Sequence, residues 1–184
     1  HMDGARFANA VVALDTTPAE MTWKRGVDLV SFGGTKNGCW CAEALIVLDP
    51  AKAKDVPFLR KRAAQLFSKS RFIAAQCEAY CGGGLWLDMA RHANEKAARL
   101  ATVLDASNRV RLAWQPEANE VFPIMPAALV DELTAKGAKF YPWPKPASFD
   151  GDLSNGETLC RFVTSFATTS DQIDQFAAAL ASLD

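Results

Sequence analysis

Lys36 stands inside Gly33-Gly34-Thr35-Lys36-Asn37-Gly38, directly after the run Val27-Asp28-Leu29-Val30-Ser31-Phe32. That run is rich in β-branched and large apolar residues and predicts a strand. The lysine therefore falls at a strand's C-terminal end, where α/β proteins place their ligand crevice. Glycine on both sides lets the backbone turn sharply and approach a ligand closely. Three uses suit such an amine. Phosphate cradling is one, but the spacing departs from Gly-x-x-x-x-Gly-Lys-Ser/Thr. Imine formation with an aldehyde is the second, because a desolvated lysine is a nucleophile. A solvated charge in an ordinary turn is the third.

Asp3 lies 33 residues before Lys36, about the length of one β-α-β crossover. Residues at two strand ends one crossover apart can face one pocket. A carboxylate held against a pyridine nitrogen keeps it protonated, and the ring then withdraws electrons from a carbanion beside an imine. Asp, crossover and Lys together are what pyridoxal phosphate chemistry requires of a protein. The competing role for Asp3 is capping of the helix that follows it.

The elements that must position these residues alternate from the start, which predicts an α/β protein. A short helix is expected over Phe7–Leu14, with Pro18 as its stop. Glu43–Leu48 reads as a further strand, apolar enough to be parallel and covered on both faces. Two long helices follow, at about Phe58–Tyr80 and Leu85–Ala106, separated by Gly82-Gly83-Gly84. Beyond them, short strands at Val110–Trp114, Glu120–Ile124, Phe140–Trp143 and Thr158–Ser165 surround a helix near Ala127–Lys136. A last helix spans about Ser170–Leu183. The expected division is a cofactor-binding part at 1–82 and a small α+β domain at 83–184.

Composition narrows the classes. The 184 residues are 49% hydrophobic and 22% charged, and carry a formal net charge of -1. That balance is globular, with no basic excess to attract nucleic acid or an acidic membrane surface. Apolar stretches such as Ala44–Leu48 are far below the roughly 20 residues of a membrane span. No secretory signal is seen, and the five cysteines form no small-domain disulfide framework, so a cytoplasmic setting is expected. Cys39 and Cys41, with two histidines in the chain to join them, make a poor zinc site. Buried or half-buried thiols are expected instead, and no metal.

His1-Met2-Asp3-Gly4-Ala5-Arg6-Phe7-Ala8-Asn9-Ala10, followed by Ser31-Phe32-Gly33-Gly34-Thr35-Lys36-Asn37-Gly38, resembles the low-specificity L-threonine aldolase family. Lys61–Leu66, Trp86–Asn94 and Arg161–Phe166 are also similar to it. The family belongs to the aspartate-aminotransferase-like fold (fold type I) of pyridoxal phosphate enzymes, beside the aromatic β-eliminating lyases. The resemblance implies the C-terminal part of that fold's large domain plus the small C-terminal domain. Lys36 would form the imine with pyridoxal 5'-phosphate, and Asp3 would pair with its ring nitrogen. Arg6 would reach the cofactor side and the substrate carboxylate, with Thr35 also in the cofactor site. Arg161 would hold the substrate α-carboxylate through two parallel charge-assisted bonds. On the sequence alone, Arg161 equally suits a charge on an edge strand, turned away from the face that Cys160 and Phe162 pack.

The implied reaction is retro-aldol cleavage of a β-hydroxy-α-amino acid to glycine and an aldehyde. Alternatives are a related β-eliminating lyase or aminotransferase-like enzyme, and a cofactor-free interaction module. The family carries a further segment before the His-x-Asp-Gly-Ala-Arg motif, with part of the phosphate cup and the histidines near the ring. The chain is thus expected to be a fragment or part of a longer polypeptide, inactive alone, with the proton-accepting base in the missing half. His92 reads as a solvated or half-buried helix residue. The resemblance also implies a homodimer or homotetramer with the active site at the subunit interface, near the helices from Phe58 and Leu85.

Overall fold

The computed structural model describes residues 1–184. In chain order the elements are β1 (Met2–Gly4), α1 (Phe7–Ala13), α2 (Pro18–Met21), β2 (Leu29–Gly33), β3 (Glu43–Val47), α3 (Val56–Arg62), α4 (Ser70–Cys81) and α5 (Leu85–Asp105). There follow β4 (Arg111–Leu112), β5 (Glu120–Val121), β6 (Pro123–Pro126), α6 (Ala127–Ala135), β7 (Tyr141–Pro142), β8 (Glu157–Val163) and α7 (Ser170–Ala181). Two compact units form, His1–Arg91 and His92–Asp184. No helix is long and apolar enough to cross a membrane.

In the first unit, β1 and β2 are parallel, with Asp3 opposite Ser31 and Gly4 opposite Phe32. The expected crossover between them is made by α1, α2 and a 3-10 turn at Trp23–Arg25. Pro18 does not end a helix as expected. It begins one, where its fixed φ and missing N–H suit the first turn, with the Thr17 side chain accepting from Glu20 N. Alternation then sorts the sheet faces. Asp3, Ser31 and Leu45 share one face and are exposed. On the other, Phe32 packs against Phe7, Trp86 and Tyr80 with ring centroids 6.0–6.1 Å away. Aromatic contacts of this kind add roughly 0.5–1.5 kcal/mol each beyond the area they bury.

Three expectations fail here. Strand β3 is antiparallel to β2, with Ser31 opposite Leu45, and it is not covered on both faces: Leu45 is 54% and Ile46 38% exposed. Nine residues separate β2 from β3, too few for the dozen or so a parallel crossover needs. The helix expected over Phe58–Tyr80 is two helices, α3 and α4, broken where Ala64 takes φ 58°. Its apolar stripe is not packed: Leu66, Phe67 and Phe72 are exposed and only Tyr80 of α4 is buried. Nor are all the thiols sheltered, since Cys41 and Cys81 are exposed.

The second unit follows the sequence pattern more closely. Ala93, Ala97, Leu100, Ala101 and Leu104 of α5 recur at helical spacing and are buried. With Met125 (β6), Leu129 and Leu133 (α6), Cys160 (β8) and Leu180 (α7) they make the core. Burying each leucine contributes about 2 kcal/mol. Strand β8 is the hub: β5, β6 and β7 all pair with it antiparallel, and β4 adds to β6. A capping box, with the Thr169 and Gln172 side chains each accepting the other's backbone N–H, starts α7.

Candidate active site

Asp3 and Lys36 end up where the spacing put them. Asp3 lies within β1, one residue before its C-terminal end, and Lys36 comes after the C-terminal end of the neighbouring parallel strand β2, in the 3-10 turn Thr35–Lys36–Asn37. Asp3 is exposed on the sheet's open face, and its Oδ1 accepts the Ala5 N–H at 2.9 Å. This Asx turn satisfies the local backbone at one oxygen. Oδ2 keeps its acceptor capacity. Lys36 is exposed and makes no hydrogen bond or ion pair within the chain. Arg6, half-buried, sits at the residue before α1 with its Nε in the interior.

The turn is built around missing side chains. A Cβ on Gly34 would lie 2.6 Å from Ala42 O and 2.9 Å from Cys39 Sγ. One on Gly33 would lie 3.0 Å from Ala5 Cα, and one on Gly4 2.7 Å from Ser31 O. Gly34 O accepts from both Asn37 N and Cys39 N, at 3.0 and 3.1 Å, which closes the loop on itself.

Sequence reasoning gave no role to several residues that shape this corner. Asn37 is buried, and its side-chain amide donates to Tyr80 Oη at 2.5 Å and to Trp86 O at 2.8 Å. Burial pushes the Tyr80 hydroxyl up to about 12, partly offset by the bond from Asn37. Glu43 Oε1 accepts from Thr35 N at 3.2 Å, setting a carboxylate beside the lysine's turn. His1 Nε2 and Ser31 Oγ are 2.7 Å apart beside Asp3. Only Asn37 carried a signal, a carboxamide locked between the lysine and a glycine.

Trp40 is 84% exposed and so does not fill core. Gln76 Oε1 accepts the N–H groups of Trp40 and Cys41 at 2.9 and 3.2 Å, fastening the loop after Lys36 to α4. Burial, with neighbouring thiols second, raises Cys39 above the usual thiol range. No group of three or more His, Cys, Asp or Glu is gathered to hold a metal. A groove of about 1100 Å³ opens beside β2 and β3, with Ser31, Leu45, Leu59, Phe67, Ile73 and Cys77 among its lining.

Arg161 belongs to the second unit. Its neighbours Cys160 and Phe162 are buried while Arg161 itself is half-exposed, as the alternation along β8 requires. Its Nε lies 3.5 Å from Glu120 Oε1, and its guanidinium carbon 4.2 Å from the Trp143 ring centroid. His92 is half-buried, and its Nε2–H donates to Thr168 O at 2.8 Å.

A sequence model of the beta-eliminating lyase family matches residues 1–128, which include Asp3, Arg6, Thr35 and Lys36. The chain belongs to that family. It is 40% identical over 178 residues to a low specificity L-threonine aldolase of a Pseudomonas species (strain NCIMB 10558), covering 97% of this chain and 48% of the relative. A second low specificity L-threonine aldolase, from Pseudomonas aeruginosa, is 38% identical over 96% of this chain and 48% of its own length. The chain thus spans about half the length of the curated relatives it matches.

The structure of a threonine aldolase from Leishmania major superposes with a TM-score of 0.85 at 30% identity, over 98% of this chain and 50% of that one. A glutamate decarboxylase domain from Vibrio parahaemolyticus shares the fold at TM-score 0.64 and 14% identity, over 98% of this chain and 38% of that one. The architecture is therefore the α/β fold type I of pyridoxal phosphate enzymes, and the cofactor of the family is pyridoxal 5'-phosphate. Asp3, Lys36 and the glycine-walled turn fit that group. An acceptor oxygen, an unengaged amine and a backbone with no Cβ in the way lie at adjoining strand ends.

Proposed function

We propose that this chain forms part of a pyridoxal-phosphate-dependent lyase that cleaves β-hydroxy-α-amino acids of the threonine, allo-threonine or phenylserine type to glycine and an aldehyde. The observation that carries the reading is the pairing of Asp3 with Ser31 across parallel strands, which sets the carboxylate beside the strand that delivers Lys36. The names of the two Pseudomonas relatives and of the Leishmania structure support the aldolase assignment.

In this reading Lys36 would be the residue that holds the cofactor, through Nζ at its aldehyde carbon. Asp3 keeps a proton on the ring nitrogen. Bound there, pyridoxal phosphate supplies the sink for the electron pair left on Cα when the Cα–Cβ bond breaks. Arg6 and Thr35 line the cofactor's side, and Arg161 takes the substrate α-carboxylate, with Arg6 as its second cation. The working form is a homodimer or homotetramer with the active site at the subunit interface, and the substrate is a small amino acid. Thr35 N remains tied to Glu43, so the turn presents Lys36 from a fixed base.

The test is product analysis with the full-length protein, pyridoxal phosphate and L-threonine. Acetaldehyde and glycine in equal amounts are expected, and Lys36→Ala is expected to lose both the visible cofactor band and turnover. Ammonia with a keto acid would replace this reading by the related β-eliminating one, which the family match itself favours as the second choice.

A further inference from the structure

Arg161 of β8 stands in register with Tyr141 of β7. Trp143 extends that ladder by donating its backbone N–H to Leu159 O at 2.8 Å. The pairing seats the Trp143 ring against the guanidinium, 4.2 Å from centroid to Cζ. Glu120 of β5 stands near the Nε edge, its Oε1 3.5 Å away. One face and one edge are thus occupied, while the two terminal nitrogens make no bond within the chain.

The indole is itself held by a row of rings. Phe122 lies 6.3 Å from it, Trp114 4.6 Å from Phe122, and Phe149 5.8 Å from Trp114, centroid to centroid. A guanidinium resting on a fixed ring has less freedom to lose when a ligand arrives. The ring also decides how a ligand arrives: edge-on, in the guanidinium plane, at the terminal nitrogens. A carboxylate does this with two parallel bonds and nothing out of plane. A tetrahedral phosphonate held by two oxygens carries two further substituents out of that plane, and one of them must lie on the indole's side.

We propose that Trp143 is a positioning and specificity-determining residue, which makes Arg161 a reader of planar carboxylates. This rests on the reading above that Arg161 holds the substrate α-carboxylate. The measurement is the Kd of glycine and of aminomethylphosphonate, read from the absorption of the bound cofactor in the full-length protein loaded with pyridoxal phosphate. Glycine is expected to bind more tightly than the phosphonate. Trp143→Ala and Trp143→Leu each raise the glycine Kd about tenfold and leave the phosphonate Kd unchanged, so the preference falls. Trp143→Phe, which keeps a π face, stays within about threefold of the parent. Trp143→Leu keeps apolar bulk and remains informative if the alanine variant fails to fold.

Trp143→Leu binding both ligands like the parent, while Arg161→Ala loses glycine, overturns the role of Trp143 and leaves the carboxylate reading standing. Arg161→Ala binding glycine like the parent overturns the carboxylate reading, and the proposal with it.

Discussion

Asn37, the residue after Lys36, donates its side-chain amide to Tyr80 Oη across 43 residues of sequence. The same amide reaches Trp86 O. The lysine's turn is therefore anchored to α4 and to the start of α5, and the anchor is buried while the lysine is not. Replacing Asn37 by alanine removes both bonds and strands a buried hydroxyl, at a cost of about 1–3 kcal/mol. Urea unfolding of Asn37→Ala, Tyr80→Phe and the double variant checks it. A coupling energy of about 1 kcal/mol between the two sites is expected, and strictly additive losses would separate them.

The same pair gives the chain an alkaline limit. Tyr80 ionises at 10.0 when unfolded and near 12 when folded, because burial disfavours its charged form. A raised folded pKa means that the folded state holds the proton more tightly. The stability it contributes is complete below pH 10.0 and is lost as pH rises through about 12. Tyr80→Phe lacks this loss. Unfolding midpoints of parent and variant are expected to converge as pH climbs from 10 to 12, and parallel curves would count against it.

Gly34 is constrained by space and not by backbone angle, since its φ of -94° and ψ of -28° suit any residue. What forbids a side chain is Ala42 O at 2.6 Å and Cys39 Sγ at 2.9 Å from the Cβ position. Gly34→Ala must push the carbonyl away, at about 1–3 kcal/mol. Gly26 is the contrasting case: its φ is +79° with nothing within 4 Å of a Cβ. Gly26→Ala meets only backbone strain and costs about 1 kcal/mol. Pyridoxal phosphate affinity of the full-length protein is expected to fall for Gly34→Ala and to stay unchanged for Gly26→Ala.

How far the sequence was readable depended on the range of the interaction. The 33-residue spacing from Asp3 to Lys36 implied a parallel crossover, because the chain between two such strands has few other ways to run. The second unit's core was legible in α5, whose alanines and leucines keep helical spacing. Strand β3 misled because a wholly apolar run looks doubly covered, although the nine residues before it already required an antiparallel return. The break between α3 and α4 had no signal: Ala64 takes a left-handed conformation where no glycine or proline marks it. Arg161 was visible as a charge, but its partners Glu120 and Trp143 are distant in sequence and meet it only through the register of β8. Register is a tertiary property, and no local pattern carries it.

Directly after β8, Thr164 and Asn119 close a second buried polar corner, and the two sides of it are unequal. Thr164 Oγ1 donates to Ala93 O at 2.7 Å, and Asn119 Nδ2 donates to Thr164 O at 2.7 Å. Both residues are under 5% exposed. Ala93 lies within α5, so its carbonyl keeps a helical partner when the hydroxyl is lost. Asn119 O likewise keeps the Thr164 backbone N–H at 3.0 Å. Thr164→Val is nearly isosteric and should cost only about 1 kcal/mol, the net worth of one hydrogen bond. Asn119→Ala is different: it leaves the Thr164 carbonyl buried without its donor and opens a cavity, so about 2 kcal/mol or more is expected. Equilibrium urea unfolding, followed by tryptophan fluorescence, orders the two variants. Thr164→Val proving the costlier would mean that the bond to Ala93, and not the amide of Asn119, contributes most to this corner.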